Sequence, residues 1–297
     1  MKNLQSVLAM HELTIVEKLT SGNVCQEVYR VKQGDATLVL KIATDDLARK
    51  ELEDNLDGYR KIRRLGLPEF IPRINYTFLN LEYSYILMED LGPDFIARSR
   101  SEINPIRLYR ELIGDLTKIY RTTRHKCDRS MESIAQAVAL AHDQYQKYLD
   151  FMDTGNLNPL FEKLAQDVLR LTPRYATFSS WDFTPENVYL TKSGTRYVDP
   201  HTEVIGMPII DLACFAGTAR DAHNLPDSAW GYTLLKSFAL IEVANLMQIT
   251  AAEAEKIFRI GRILQCIMSS IVRVNTDEQH ATQLFHQASY HLARCME

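Results

Sequence analysis

The chain has 297 residues, 46% of them hydrophobic and 24% charged, the proportions of a globular protein with a substantial core. A formal net charge of -4 with no long like-charge block excludes an advertised nucleic-acid-binding face, and no apolar run is long enough for a membrane span. Five scattered cysteines without C-x-x-C spacing exclude a disulfide framework or a zinc site and suit reduced thiols in a cytoplasmic protein.

The opening stretch, MKNLQSVLAMHELT, has too short an apolar segment for a secretion signal. From Leu13 to Ile42 three short strands are expected, in LTIVEKLT, EVYRVKQ and TLVLKIA, separated by SGNVCQ and by a Gly34-Asp35 turn. A helix follows with Leu52, Leu56, Tyr59 and Arg63 on one side, and it stops near Gly66 and Pro68. Its basic cluster, Arg60, Lys61, Arg63 and Arg64, reads as a solvated helix end. RINYTFLN and YSYILMED are two further strands, the second ending at Gly92-Pro93. From Pro105 helical patterns dominate, over 105–123, 132–152 and 157–170; short strands and turns interrupt them over 172–212, and helix resumes after Leu225. A β-rich first third and a mostly helical remainder predict an α+β chain of two lobes, 1–91 and 92–297.

The interruption contains SSWDFTPENVYL, residues 179–190, which sets Asp182 and Asn187 five positions apart ahead of an apolar strand. That spacing carries little by itself, since Asp153 and Asn158 repeat it with no strand behind them. The context decides. After the strand comes the turn TKSG and a second strand, RYVDP, which carries Asp199. A phosphoryl-transfer site needs these groups: a carboxylate to orient the proton of an attacking hydroxyl, then an amide oxygen and a second carboxylate to hold Mg2+ against the nucleotide phosphates. Asp182, Asn187 and Asp199 supply them in that order, and Asp211, in GMPIIDLACF, opens an apolar helix where it suits capping or bracing the loop.

Asp182, Pro185 and Asn187, then Asp199 in VDP, then Gly206, Pro208 and Asp211-Leu212-Ala213 resemble the catalytic core of the aminoglycoside phosphotransferase and choline kinase-like group. In that group the loop reads H-G-D-x-x-P-x-N and is followed by an Asp-bearing strand and a G-x-P-x-x-D-L-A element. The resemblance implies a bilobal protein-kinase-like fold with a small β-rich lobe and a larger helical one. It implies an enzyme that uses ATP and magnesium to phosphorylate a hydroxyl of a small molecule, with Asp182 as catalytic base and Asn187 and Asp199 as metal ligands. It also makes Lys41, in LVLKIA, the lysine that pairs the α- and β-phosphates. ILMEDLG then resembles the segment between lobes, with Met88 behind the adenine pocket and the Glu89 carbonyl and Leu91 amide on the adenine edge. Glu53 best suits the helical face as the acidic partner of Lys41, with Glu51 nearly as good.

The chain departs from the group at Ser180 and Trp181, where the pattern has His-Gly, and it carries one glycine, Gly22, where protein kinases have G-x-G-x-x-G. An inactive kinase-like module that binds nucleotide is therefore the alternative reading. A protein kinase is disfavoured, because the eleven residues between Asp199 and Asp211 leave little room for an activation loop. His201, after Pro200, reads as a surface or locally bonded histidine. Residues 92–180 hold no excess of acidic over basic side chains, which gives no support to a polycationic acceptor. The partner is expected to be a small-molecule hydroxyl substrate, with the protein a monomer or homodimer.

Overall fold

The computed structural model describes residues 2–19, 27–102, 105–124, 183–200, 208–221 and 239–273, together with 237, 279, 281–284 and 286–287. The expected helices over 132–152 and 157–170, and residues Ser180, Trp181, Asp182 and His201, lie outside the described residues. The chain divides into two compact units, Met1–Pro93 with Thr191–Thr202, and Asp94–Leu190 with Glu203–Glu297.

The first unit is built on a five-stranded antiparallel sheet, β1 (Thr14–Leu19), β2 (Glu27–Gln33), β3 (Ala36–Ala43), β4 (Ile74–Phe78) and β5 (Ser84–Glu89), in the order β1-β2-β3-β5-β4. Gly34, at φ +57, makes the tight β2–β3 turn, a conformation that costs glycine least. Alternation along β3 sends Leu38, Leu40 and Ile42 to one face and Val39, Lys41 and Ala43 to the other.

Each face has its own helix. Helix α1 (Lys2–Met10) lays Leu4, Val7 and Leu8 on the face of Leu38, Leu40, Ile42, Tyr85 and Leu87. Helix α2 (Asp46–Arg64) packs Ala48, Leu52 and Leu56 against Ala43, Ile86 and Met88 on the other. With both faces covered, β5 is buried from Ser84 through Met88, and so its sequence is a nearly continuous apolar run.

Helix α2 is punctuated at both ends. Asp45 caps its start by accepting the Ala48 N–H at 2.8 Å. Gly66, at φ +80, closes its end: the Gly66 N–H reaches the Arg63 carbonyl and the Leu67 N–H the Ile62 carbonyl, the paired bonds of a Schellman motif. Arg60, Lys61, Arg63 and Arg64 are all exposed there, where cations complement the helix dipole. The inward face takes Ile62 rather than the expected Arg63.

In the second unit, Asp94 caps α3 (Phe95–Ser101) by accepting the Ala97 N–H at 2.7 Å, and α4 (Pro105–Thr123) starts on a proline that needs no hydrogen-bond partner. Helix α5 (Pro208–Asp221) is buried at every position from Asp211 to Thr218, and α6 (Ala251–Arg273) packs on it. A short 3-10 turn, Pro185–Asn187, leads into β6 (Val188–Thr191); β7 (Gly194–Tyr197) follows in the chain and belongs to the first unit. No helix among the described residues is long and apolar enough to cross a membrane.

Candidate functional site

Within the first unit the structure brings together two residues 158 positions apart. Lys41, only 7% exposed on β3, forms an ion pair with the carboxylate of Asp199. A buried ammonium is costly without an anion, and the Asp199 carboxylate supplies one to Lys41. Asp199 follows β7 and has φ +54, a left-handed conformation that Asp tolerates better than most residues. Two contacts hold this end of β7. Tyr197 is fully buried and stacks on Phe70 with ring centroids 6.1 Å apart. The Asp199 backbone N–H donates to the Tyr59 hydroxyl on α2 at 3.2 Å.

Helix α2 presents Glu51, Asn55 and Tyr59 in one stripe at four-residue spacing. Glu51 is half-buried and Asn55 is buried, whereas Glu53 is exposed. A position next to buried Leu52 turns outward by one residue's rotation of the helix, and the acidic chain there is solvated.

Met88 is 2% exposed in the core between β5 and α2. Glu89 ends β5; its N–H donates to the Arg73 carbonyl at 2.9 Å, and its carboxylate accepts the Arg73 N–H at 3.0 Å. Leu91 is half-buried beyond it.

Asn187 belongs to the second unit and ends the 3-10 turn, its own N–H donating to the Thr184 carbonyl at 3.1 Å. The turn is anchored by Phe183, 1% exposed, whose ring lies 5.5 Å from that of Phe215 on α5. Phe95 meets Phe215 edge-on at 4.9 Å and Tyr109 at 5.3 Å, so four aromatic rings from α3, the loop, α4 and α5 form one cluster. Asp211, 1% exposed, is braced from α4: the Tyr120 hydroxyl bonds to it. Burial first, and then the charge of Asp211, holds the Tyr120 phenol well above the ordinary tyrosine range.

Sequence reading did not find Tyr59 or Tyr120 as site residues. Tyr59 enters the sequence pattern only as part of one helix side, and nothing local marks a hydroxyl that meets a residue far along the chain. Among the described residues no group of three or more His, Cys, Asp or Glu side chains could hold a metal by itself. The Asp199 carboxylate and Asn187 carboxamide are hard oxygen donors of the kind magnesium takes, one or two from protein and the rest from phosphate and water.

No protein-family model matches the sequence, and no curated protein matches it. Among solved structures the chain is similar to a thermostable mutant of the aminoglycoside phosphotransferase APH(4)-Ia in ternary complex with ADP and hygromycin B, with TM-score 0.67 and 11% identity over 97% of each chain. It is similar to choline kinase from Cryptosporidium parvum Iowa II, with TM-score 0.63 and 12% identity over 99% of this chain and 96% of that one. Choline kinase LicA from Streptococcus pneumoniae gives TM-score 0.62 and 15% identity over 99% and 98% of the two chains. At such identities the likeness is one of fold: the chain has the protein-kinase-like fold of these small-molecule kinases.

Proposed function

We propose that the protein is a phosphotransferase that moves the γ-phosphoryl group of ATP to a hydroxyl of a small molecule. The observation that carries this reading is the Lys41–Asp199 ion pair inside a kinase-like fold. Lys41 leaves Asp199 when nucleotide enters and pairs the α- and β-phosphates. Asp199 and Asn187 are the residues that would offer oxygens to Mg2+, and the ion would supply charge neutralisation for the phosphates. Asp182 accepts the proton of the attacking hydroxyl. Met88 closes the back of the adenine pocket, and the Glu89 carbonyl and Leu91 amide take the base edge. Of the two α2 carboxylates, burial favours Glu51 over Glu53 for the place beside Lys41. The acceptor is a small molecule, as hygromycin B and choline are for the similar structures.

The test is ADP formation from ATP with magnesium, screened against a panel of metabolites and antibiotics. Acceptor-dependent turnover is expected, falling about a hundredfold or more in Asp182→Asn while ATP binding stays close to the parent's. Nucleotide binding with no transfer to any acceptor supports the second reading, a nucleotide-binding module. The observation favouring that reading is Ser180-Trp181 in place of His-Gly.

A further inference from the structure

The sheet face that carries Lys41 carries a second ion pair further out. Directly opposed residues of an antiparallel sheet share a face, as do residues two apart on one strand. The registers Glu17↔Arg30, Arg30↔Val39 and Val39↔Met88 therefore place one row across four strands on Lys41's side. Val39 is half-buried in that row and Met88 is buried.

At the far end, Arg30 Nε donates to Asp90 Oδ2 at 2.7 Å, and a second guanidinium nitrogen pairs with Glu17 on β1. The other oxygen of Asp90 accepts the Gly92 N–H at 3.0 Å, closing a turn in which Gly92 has φ +79. The Asp90 side chain is 12% exposed, so both bonds are made largely out of water, where they hold geometry best. One oxygen fixes the segment to the sheet and the other fixes its next turn.

Glu89 and Leu91 flank Asp90 on either side. Rotating the peptide groups around Asp90, which would change what the Glu89 carbonyl and Leu91 amide offer, strains one of these two bonds.

We propose that Arg30 and Asp90 are positioning residues for the nucleotide base, and that they hold one acceptor, the Glu89 carbonyl, and one donor, the Leu91 amide, in the pattern that selects adenine over guanine. Adenine's edge offers an amino donor beside a ring acceptor; guanine's offers the reverse, an oxygen acceptor beside a ring N–H. A segment free to rotate a peptide accommodates either base, whereas one clamped at Asp90 leaves guanine with unmatched groups, and rejection by unpaired polar groups is the strongest form of specificity. This inference rests on the phosphotransfer reading above.

The experiment measures ATP and GTP affinity by calorimetry, with magnesium and no acceptor, for the parent protein and for Arg30→Met, Arg30→Lys and Asp90→Asn. The parent protein should prefer ATP. Arg30→Met and Asp90→Asn should reduce the ATP:GTP preference by roughly tenfold, as loss of preorganisation at one contact segment does. Arg30→Lys, which keeps a cation opposite Asp90, should retain part of it. In steady-state assays the loss should appear in KM for ATP rather than in kcat. Variants that melt earlier but keep the parent's ATP:GTP ratio would show a brace for the sheet and overturn the inference. A parent protein that binds both nucleotides equally overturns it too, and leaves phosphotransfer standing. A parent protein that binds neither removes both.

Discussion

The Tyr59 hydroxyl accepts the backbone N–H of Asp199 at 3.2 Å, tying helix α2 to the residue whose carboxylate pairs with Lys41. Asp199 has φ +54, a conformation in which a non-glycine residue persists only where its surroundings hold it. The phenol is one such hold, reached from a helix that is itself pinned by Leu52 and Leu56 to the sheet. The position of the carboxylate is thus set by the packing of α2 as well as by β7.

Tyr59→Phe removes the oxygen and keeps the ring. We expect a stability loss of about 1 kcal/mol, the net worth of one hydrogen bond, measured by urea denaturation. Magnesium-dependent ATP binding should weaken by more than that figure implies, because the carboxylate loses its backbone anchor. Calorimetry with and without magnesium separates the two effects; equal ATP affinity in both proteins would show that Tyr59 serves stability alone.

The two members of the Lys41–Asp199 pair should behave unequally. Asp199→Ala leaves a buried ammonium without its acceptor and should cost about 1–3 kcal/mol, a range set by the one-third exposure of the carboxylate. Lys41→Met replaces the buried cation with an apolar chain of similar length and frees Asp199 to water, so it should cost less or stabilise. Both should abolish turnover. Denaturant midpoints of the two variants, compared side by side, test this; a larger loss in Lys41→Met would contradict the account of the pair.

The sequence carried the strands of the first unit well, for a physical reason. EVYRVKQ matches β2 from Glu27 to Gln33, because alternation of half-buried and buried residues writes its period into the chain. Helix α1 was missed although Leu4, Val7 and Leu8 have helical spacing: nine residues without a capping side chain carry too little pattern, and the helix is held by the sheet it covers. Lys41 and Asp199 were legible one by one, Lys41 from its apolar flanks and Asp199 from VDP. Their partners were not. Tyr59 meets Asp199 across 140 positions and Arg30 meets Asp90 across 60, and no local pattern encodes such pairings. Glu53 suits the helix face by its spacing to Leu56, three residues on, and spacing alone does not fix burial: Glu53 is exposed and Glu51 half-buried.

Phe183 anchors the loop that carries Asn187, so Phe183→Ala should act on both stability and activity. Removing a fully buried ring from the four-ring cluster should cost about 3–5 kcal/mol. Phe183→Leu, which refills most of the volume, should recover the greater part of both. Thermal unfolding with parallel turnover assays checks this, and recovery of stability without recovery of turnover would show that the ring orients the loop specifically.

Alkaline stability follows from the pairing of Tyr120 with Asp211. Burial, with the Asp211 charge behind it, raises the Tyr120 pKa in the folded protein, while the unfolded chain keeps a value of about 10. The unfolded state therefore loses its phenolic proton first as pH rises. The contribution of Tyr120 is intact below about pH 10 and is lost progressively above it, until the folded pKa is reached. Tyr120→Phe should cost about 1–3 kcal/mol at neutral pH, because a buried carboxylate loses a donor. Above about pH 10, however, the variant has no phenol to ionise at that position, and its stability should fall less steeply than the parent's. Urea unfolding at intervals from pH 8 to pH 11 distinguishes the two curves. Parallel slopes above pH 10 would mean that Tyr120 ionises as readily in the folded protein as in the unfolded chain, and would remove it as the partner that braces Asp211.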